Sequence, residues 1–307
     1  MAIVKSFAVG NGDTFYIKHG TDNFTIIDCN LSDENKDQII QELKDQSKDK
    51  KITRFISTHP DQDHLGGIEY LDEKMPINNF YVVKNKATKK PETESFKHYC
   101  KLRDGDKAFY IYKGCKRKWM NQDNEERKSA GISILWPKLD NEHFVKALAD
   151  CENGGSPNNI SSVIRYSLKD GASFLWIGDL ENEFMEKIFD EIELNKTTIV
   201  FAAHHGRLSG KIPNSWLKKL DPQIIVIGEA AARHLHYYTG YGKLTQNKAE
   251  NITFECEDEW VHIYSSKEDY TPSSPLFEKL QNKNKTTFDY YVGSIEVETE
   301  YTLENME

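Results

Sequence analysis

Short apolar runs alternate with polar turns along most of the chain. The first three runs are separated by turns rich in glycine and asparagine, and they cover residues 4–9, 14–17 and 25–27. This pattern predicts three short strands joined by tight turns. Residues 33–48 then place their apolar side chains on one face at helical spacing, which predicts an amphipathic helix. The chain therefore starts with hairpins and continues with a helix.

Strand-like and helix-like segments alternate after this point. Apolar or alternating runs predict strands at residues 52–57, 80–83, 109–112, 132–136, 161–168, 174–177, 198–202 and 224–227. Helical spacing predicts helices at residues 68–71, 96–102, 144–148, 181–194 and 215–220. Hairpins followed by alternating strands and helices predict an α+β fold with two sheets and helices outside them. We expect one domain over residues 1–242 and a β-leaning extension over 243–307, packed on that domain.

Four metal-capable side chains lie within six residues, directly after the predicted strand 52–57. They are His59, Asp61, Asp63 and His64, and two glycines follow them. Histidine with carboxylate suits zinc, manganese or iron, and two carboxylates in one short turn suit a pair of cations. The alternative is a solvated turn in which Asp63 caps the next helix. Two residues of each type in this order favour the metal site.

Other candidate residues also stand where predicted strands end. Asp28 follows the third strand, Asp179 follows the strand at 174–177, and His204 and His205 follow the strand at 198–202. Because the ends of neighbouring strands can lie at one rim of a sheet scaffold, we expect these side chains to converge.

Charge is distributed unevenly along the sequence. The formal net charge is −9, but residues 84–118 carry twelve Lys or Arg and four Asp or Glu. This segment, here called the basic insert, therefore has a local balance of +8 on an acidic body. Its cations are interleaved with aromatic residues, a combination that suits phosphates and stacked bases. The alternative is a set of solvated strands whose aromatic residues face the core. Lys84, Lys116 and Arg117 are the candidate substrate contacts of the insert.

Cysteine usage and hydropathy bear on location. The five cysteines are widely spaced and form no CxxC pair, so we expect no disulfide framework and a cytoplasmic protein. No apolar run approaches the ~20 residues needed to cross a bilayer, so we expect no membrane partner.

Five motifs in order resemble the metallo-β-lactamase-fold hydrolases, and especially the hydrolase domain of the ComEC/Rec2 DNA-uptake proteins. The motifs are VGNGD at residues 9–13, THPDQDHLGG at 58–67, NNISSV at 158–163, FLWIGDL at 174–180 and AHHG at 203–206. The resemblance implies a four-layer αββα sandwich with a centre for two divalent metal ions, Zn or Mn. The membrane channel of the ComEC proteins has no counterpart in this sequence.

The resemblance also implies roles for particular residues. His59 and Asp61 resemble ligands of a first metal, Asp63 and His64 ligands of a second, and Asp179 the bridging carboxylate. His204 or His205 resembles the last histidine ligand, with His204 preferred because it is nearer the strand end; the other histidine is then a substrate contact. Asp28 resembles a carboxylate that supports the turn. Asn159 and Arg207 are further candidates for substrate binding: Asn159 stands where relatives place another histidine, and Arg207 replaces a serine. His236 is a catalytic candidate, and it is followed by Tyr237 in place of proline.

The implied chemistry is hydrolysis by a hydroxide activated between two cations, with Asp63 also a candidate to take the proton. An aspartate at position 61, where most relatives carry histidine, shifts the ligand preference toward manganese. The sequence therefore predicts a phosphodiesterase or nuclease acting on nucleic acid or a nucleotide. The alternatives are a hydrolase of a small cyclic nucleotide, lactone or thioester, and a non-catalytic subunit that docks a protein partner through its C-terminal extension.

Overall fold

The computed structural model describes residues 1–123, 125–230, 236–272, 277 and 289–298. The strands of these residues are β1 (Ala2–Ser6), β2 (Phe15–Lys18), β3 (Asn23–Ile27), β4 (Cys29–Asn30), β5 (Ile52–Ser57), β6 (Phe80–Val82), β7 (Ala108–Tyr110), β8 (Ile132–Trp136), β9 (Val163–Ser167), β10 (Ser173–Trp176), β11 (Ile199–Phe201), β12 (Ile224–Ile227), β13 (Gly242–Thr245), β14 (Ile252–Glu257), β15 (Trp260–Ser265) and β16 (Tyr290–Glu296). The helices are α1 (Lys36–Ser47), α2 (Gln62–Leu65), α3 (Ile68–Lys74), α4 (Glu94–Arg103), α5 (Glu142–Glu152), α6 (Asn182–Lys187), α7 (Asn214–Leu220) and α8 (Gln246–Ala249).

Two sheets form from these strands. In the described residues the larger sheet has nine strands in the order β16-β15-β14-β1-β2-β3-β5-β6-β7, and the smaller has six in the order β13-β12-β11-β10-β9-β8. The strands β14 to β16, from the C-terminal extension, join the larger sheet because β14 pairs antiparallel with β1. The larger sheet therefore combines the first and the last described strands, whereas the smaller sheet consists of β8 to β13.

Aromatic side chains fill the space between the two sheets. The ring of Phe15 on β2 lies 4.9 Å from that of Phe201 on β11, and Phe254 on β14 lies 5.8 Å from Phe174 on β10. Successive residues of a strand face opposite sides, so Tyr16, next to Phe15, points outward, where its hydroxyl donates to Glu42 of α1. The fold is therefore the αββα sandwich that the sequence predicts.

One predicted helix is shorter than expected. The helix predicted over 181–194 ends at Lys187, and a 3₁₀ turn at Phe189–Glu191 follows. Beyond it, Ile192 and Leu194 are buried while Glu193 between them is exposed. That two-residue period belongs to extended chain, so the core contacts of these residues outweigh their helical spacing.

The candidate residues meet at one rim of the sandwich. Strands β3, β5, β6 and β7 run parallel, as do β10 to β13. Asp28 follows β3, His59 follows β5, Asp179 follows β10 and His204 follows β11. Carboxyl ends of parallel strands share one edge, which explains the convergence. None of the helices in the described part of the chain is long and apolar enough to cross a membrane.

Candidate metal centre

The carboxylate of Asp179 lies at the centre of four imidazoles. It is 1% exposed, and four Nε2 atoms approach its two oxygens. The distances are 3.1 Å from His64, 3.6 Å from His204, and 3.8 Å from both His59 and His205. Imidazole nitrogen and carboxylate oxygen are both donor types that zinc and manganese accept.

Each of these imidazoles is held through its other ring nitrogen. Nδ1 lies 2.8 Å from Asp28 Oδ2 in His64, 3.1 Å from Thr58 Oγ1 in His59, 2.9 Å from Ser209 Oγ in His204 and 3.1 Å from Asp13 Oδ1 in His205. A proton on Nδ1 leaves the Nε2 lone pair facing Asp179. This is the arrangement in which metal-binding histidines are usually found, because the outer partner fixes the tautomer and the ring orientation.

Four residues form the tightest group. One ligand atom from each of Asp13, His64, Asp179 and His205 lies within 4.8 Å of all the others. Asp63 borders this group, since its Oδ2 lies 3.4 Å from Nε2 of His205. The geometry thus brings a carboxylate and an imidazole from each of the two sheets into one small volume.

The turn after β5 is shaped by its polar side chains. Asp61 caps α2 by accepting from the backbone N–H of Gln62. Thr58 donates its backbone N–H at 2.7 Å, and its hydroxyl, to the buried carboxylate of Asp28. Asp28 itself has φ +54°, a conformation that Asp and Asn tolerate better than other non-glycine residues. Local capping and one buried acceptor therefore orient this turn.

On the opposite sheet, a glycine allows Asp179 to approach. Gly178 has φ +59°, and a Cβ built on it would lie 2.7 Å from Cβ of Ser161. The backbone N–H of Asp179 donates to Oγ of the same Ser161 at 3.0 Å. A side chain at position 178 would therefore push the loop that carries Asp179 away from the centre.

The two adjacent histidines follow β11 in a sharp left-handed turn. His204 and His205 have φ of +51° and +55°, and the N–H of His204 donates to the carbonyl of Gly178. This backbone conformation is costly for residues other than glycine, and such strain concentrates at functional sites. It turns both rings toward Asp179: that of His205 is fully buried, whereas the side chain of His204 is 13% exposed at the mouth.

Charge pairing dominates the electrostatics of the centre. Burial opposes ionisation of Asp179, but the charges of His64 and His205 outweigh it and hold the pKa of Asp179 well below its usual range. Burial is likewise outweighed at Asp63, where His205 and His64 lower the pKa to about 2. Both carboxylates are therefore anionic at neutral pH. A cation that binds them must displace the protons that compensate this charge.

The histidines divide into two groups by pKa. At His205, burial is outweighed by Asp13 and Asp63, which raise the pKa to about 10. At His64, Asp179 and Asp28 raise the pKa well above its usual range. At His59, burial and the neighbouring charge of His64 lower the pKa to about 4. The neutral His59 already offers a lone pair, whereas His64 and His205 must lose a proton to act as ligands.

Several buried polar atoms of the centre lack a hydrogen bond of good geometry. They are Nε2 of His59, His64 and His205, and Oδ1 of Asp179. Oδ1 of Asp179 is 3.1 Å from Nε2 of His64, close enough for ion pairing but poorly aligned. Buried unpaired polar groups are costly, and a divalent cation would satisfy all of these at once. The residues present therefore fit a metal ion.

Asp61 has a further partner. Its Oδ1 accepts from Nζ of Lys89 at 2.6 Å, and both side chains are about one third exposed. That pairing and the cap to Gln62 lower the pKa of Asp61 although burial opposes them. Lys89 thus brings the basic insert directly to the metal-like turn, where a cation stands beside a predicted metal ligand.

The other predicted residues lie at different distances from the centre. Arg207 is at the mouth, with Nη1 3.3 Å from Nε2 of His204. Asn159 instead bonds to Glu181, donating to its carboxylate at 2.9 Å and accepting its backbone N–H at 3.1 Å. His236 is exposed and packs against the ring of Tyr237. The neighbouring residues 231–235 lie outside the described residues.

Lys84, Lys116 and Arg117 are exposed on the basic insert rather than in the cluster. They lie along the side of the sandwich formed by β7, the edge strand of the larger sheet. Their role as substrate contacts therefore remains a prediction about a surface outside the metal centre.

Sequence reasoning did not select Asp13, which belongs to the tightest group. It interpreted the Gly-Asn-Gly-Asp segment as a turn and as part of the VGNGD motif, but it gave Asp13 no role. The repeated glycines were the available signal. A Cβ on Gly12 would lie 2.5 Å from the carbonyl oxygen of Asp63, and the N–H of Asp13 donates to that same oxygen. Gly12 is therefore needed for this turn to dock against the metal-like turn.

Comparison with known proteins agrees with the metal centre that this geometry indicates. Residues 8–107 match the Metallo-beta-lactamase superfamily. The matched part includes Asp13, Asp28 and the whole turn from His59 to His64. Similarity to this superfamily, which the sequence motifs predict, is therefore confirmed over residues 8–107.

Two further similarities are more distant. Over 197 residues, 64% of this chain, the sequence is 22% identical to ComE operon protein 3 of Bacillus subtilis (strain 168). The match covers only 22% of that relative's length. Among solved structures, Igni18, described as a novel metallo hydrolase from the hyperthermophilic archaeon Ignicoccus hospitalis KIN4/I, is 15% identical with a TM-score of 0.44, covering 82% of this chain and 99% of that one.

Proposed function

We propose that this protein is a metal-dependent phosphodiester hydrolase that acts on nucleic acid. The observation that carries the proposal is the set of four imidazole Nε2 atoms around the buried carboxylate of Asp179, each imidazole held by a partner on Nδ1. Such a site binds divalent cations, and the similarity to the metallo-beta-lactamase superfamily supports hydrolysis as the reaction.

The donor set divides between two ions, and we propose manganese or zinc for them. His59 and Asp61 would hold one ion, and a group of three would hold the other, with Asp179 between them. That second group is Asp63, His64 and His205. His205 takes this place in preference to His204 because its Nε2 is buried and lies 3.4 Å from Asp63. The carboxylate share of the set favours manganese relative to an all-histidine site.

Metal ions bound here would supply a Lewis acid and lower the pKa of bound water toward neutrality. The chain's own residues prepare the site for this chemistry. Asp28, Asp13 and the hydroxyl of Thr58 hold three imidazoles in the ligand tautomer. Asp63, with a pKa of about 2, stays ionised at neutral pH, so it can receive a proton only when the local charge changes during turnover.

Cations around the centre support an anionic substrate. Arg207 stands close to His204 with its guanidinium bonded to Asn11, and Lys89 is paired with Asp61. Both could contact phosphate oxygens, Arg207 through two N–H groups at once. Because the body of the protein is acidic overall, two cations close to predicted metal ligands indicate a substrate that carries negative charge.

The direct experiment is a metal-reconstituted cleavage assay. Purified protein is stripped with EDTA, dialysed, and loaded with Mn²⁺ or Zn²⁺. It is then incubated with single-stranded DNA, duplex DNA, RNA and bis(p-nitrophenyl) phosphate. We expect cleavage that depends on metal and disappears in Asp179→Asn and Asp63→Asn. The matched control is Asp258→Asn, an exposed aspartate in the β14–β15 turn, which should retain full activity.

Absence of cleavage of every phosphodiester, with metal content confirmed by mass spectrometry, would overturn the proposal. Cleavage of bis(p-nitrophenyl) phosphate without any cleavage of nucleic acid would retain phosphodiester hydrolysis and overturn the nuclease assignment.

A further inference from the structure

The basic insert presents cations and aromatic rings together along one edge of the larger sheet. We define the basic–aromatic edge as Lys84, Phe109, Tyr110, Tyr112, Lys116 and Arg117. Tyr110 and Tyr112 are 37% and 42% exposed, unusually high values for large aromatic side chains here, and the three basic residues are exposed as well. Aromatic surface left open to solvent beside cations indicates a binding surface more than a core.

Ring contacts order the cations of this edge. Nζ of Lys84 lies 5.3 Å from the ring centroid of Tyr110, and Cζ of Arg117 lies 4.7 Å from that of Phe109. Four other cations of the insert are paired with carboxylates: Lys86 with Glu152, Lys89 with Asp61, Lys97 with Glu94 and Arg103 with Asp104. Within the part of the chain that the structure describes, no ion pair joins Lys84, Lys116 or Arg117 to a carboxylate. Their charge is therefore available to an external anion.

The topology joins this edge to the metal centre. Strands β5, β6 and β7 are parallel neighbours, with Ser57 opposite Val82 and Val82 opposite Tyr110. The turn with His59 follows β5, Lys84 follows β6 and Tyr112 follows β7. Adjacent strands lie about 4.8 Å apart, so the end of β7 is roughly 10 Å along the rim from the end of β5. Lys89, bonded to Asp61, stands in the same insert.

We propose that the basic–aromatic edge binds single-stranded nucleic acid and leads the strand along the rim to the metal centre. Delivery of the strand to the metal centre rests on the proposed function. Capture of the strand rests only on the residues of the basic–aromatic edge. Phosphates would pair with Lys84, Lys116 and Arg117, while unstacked bases would lie on Tyr110 and Tyr112. A duplex hides its bases from such rings, so the edge should prefer single strands.

Binding without turnover tests this inference separately from hydrolysis. Fluorescence anisotropy with a labelled 20-nucleotide oligothymidylate, in EDTA, measures affinity over a range of salt concentrations. We expect the double variant Lys116→Ala with Arg117→Ala to bind at least ten-fold more weakly. The magnitude of its slope of log K against log salt should be smaller by about 1.4, because each phosphate that a side chain no longer neutralises reduces that magnitude by about 0.7. Tyr112→Ala should bind at least five-fold more weakly with an unchanged slope.

The charge-matched control is Lys218→Ala with Lys219→Ala, an exposed adjacent pair on α7. It should bind like the wild type, and circular dichroism and thermal melting should show all variants folded. Equal losses of affinity in both double variants, or tighter binding of a hairpin duplex than of the single strand, would overturn the inference. So would the absence of measurable binding. If the strand binds in EDTA but no phosphodiester is cleaved with metal, the proposed function fails, whereas capture of the strand by this edge stands.

Discussion

Oδ2 of Asp28 lies 2.8 Å from Nδ1 of His64, and the same carboxylate accepts from the hydroxyl of Thr58, which lies 3.1 Å from Nδ1 of His59. One buried carboxylate thus orients two of the four imidazoles that face Asp179. Its place after β3 rather than β5 means that two strands must be correctly paired before either histidine is held. Folding of the larger sheet and preparation of the centre are therefore linked.

Asp28→Asn should weaken metal binding by about 10–100-fold while leaving the fold intact. The carboxylate accepts the backbone N–H of Thr58 on Oδ1, and the Thr58 hydroxyl and the His64 ring on Oδ2. The amide of asparagine has one acceptor oxygen, and its NH₂ group can only donate. At least one of the three donors that Asp28 accepts therefore loses its partner. Asparagine also tolerates φ +54°, so the backbone should not be strained. Competition with a fluorescent chelator for Mn²⁺ or Zn²⁺ measures the affinity.

Asp258→Asn is the matched control for this change, because Asp258 also has positive φ but lies in an exposed turn. It should bind metal with wild-type affinity. An Asp28→Asn protein whose metal affinity equals that of the control would show that the carboxylate does not prepare His64.

Substitution of the adjacent histidines should separate their roles. His205→Gln should lower affinity for metal at least ~100-fold, because His205 belongs to the tight group with Asp13, His64 and Asp179. His204→Gln should retain metal within about ten-fold, because His204 stands at the mouth, outside that group. Metal content after dialysis and chelator competition measure both. Equal loss of metal affinity in the two variants would contradict this division.

The turn from His59 to His64 could be predicted because its chemistry is concentrated in sequence. Two histidines and two aspartates within six residues, after an apolar strand, have few alternative explanations. Strand periodicity predicted two sheets with helices outside them, and the resemblance carried by the ordered motifs implied the αββα sandwich. The strand ends with Asp28 and Asp179 were also visible, since a carboxylate directly after a buried strand has a defined place on the rim.

The choice between His204 and His205 could not be made from sequence. It depends on two consecutive left-handed residues, which rotate each ring by an amount that no local pattern encodes. Asp13 was missed for a related reason. Its contact with His205 joins residues 192 positions apart. The local Gly-Asn-Gly-Asp pattern is fully accounted for by a turn, so it does not indicate this contact. Long-range pairing of this kind is determined by sheet topology.

Arg207→Ala should raise KM for a phosphodiester about ten-fold with a smaller change in kcat. The guanidinium lies at the mouth, held by Asn11 and close to His204, where it can contact an anion before and after bond cleavage. Binding energy present in both ground and transition states appears mainly in KM. Steady-state kinetics with bis(p-nitrophenyl) phosphate measure both constants. Arg207→Lys should recover part of the affinity, since it restores charge without the fork geometry. A fall in kcat alone would contradict a binding role.

His19 should make folding stability depend on pH at a distance from the metal centre. Its ring is fully buried, its Nε2 lies 2.8 Å from Oγ1 of Thr25, and burial with the nearby charge of Arg54 holds its pKa well below the usual range. Below the unfolded pKa of about 6.5, the unfolded chain binds a proton that the folded chain does not. Stability from this residue is therefore fully present above pH 6.5 and is lost as pH falls, by up to about 1.4 kcal/mol per pH unit.

His19→Gln keeps a donor near Thr25 but cannot titrate, so the free energy of unfolding should fall less steeply than in the wild type between pH 6.5 and pH 5. Urea titrations in EDTA at several pH values measure the free energy of unfolding of both proteins. The contribution of the other histidines cancels in the difference between variant and wild type. His143→Gln, on α5 with a side chain 37% exposed, is the control and should give a curve parallel to the wild type. Parallel curves for His19→Gln and the wild type would mean that the ring of His19 takes up its proton as readily in the folded chain as in the unfolded chain. Nε2 of that ring would then have to donate to Oγ1 of Thr25, because an imidazolium can only donate.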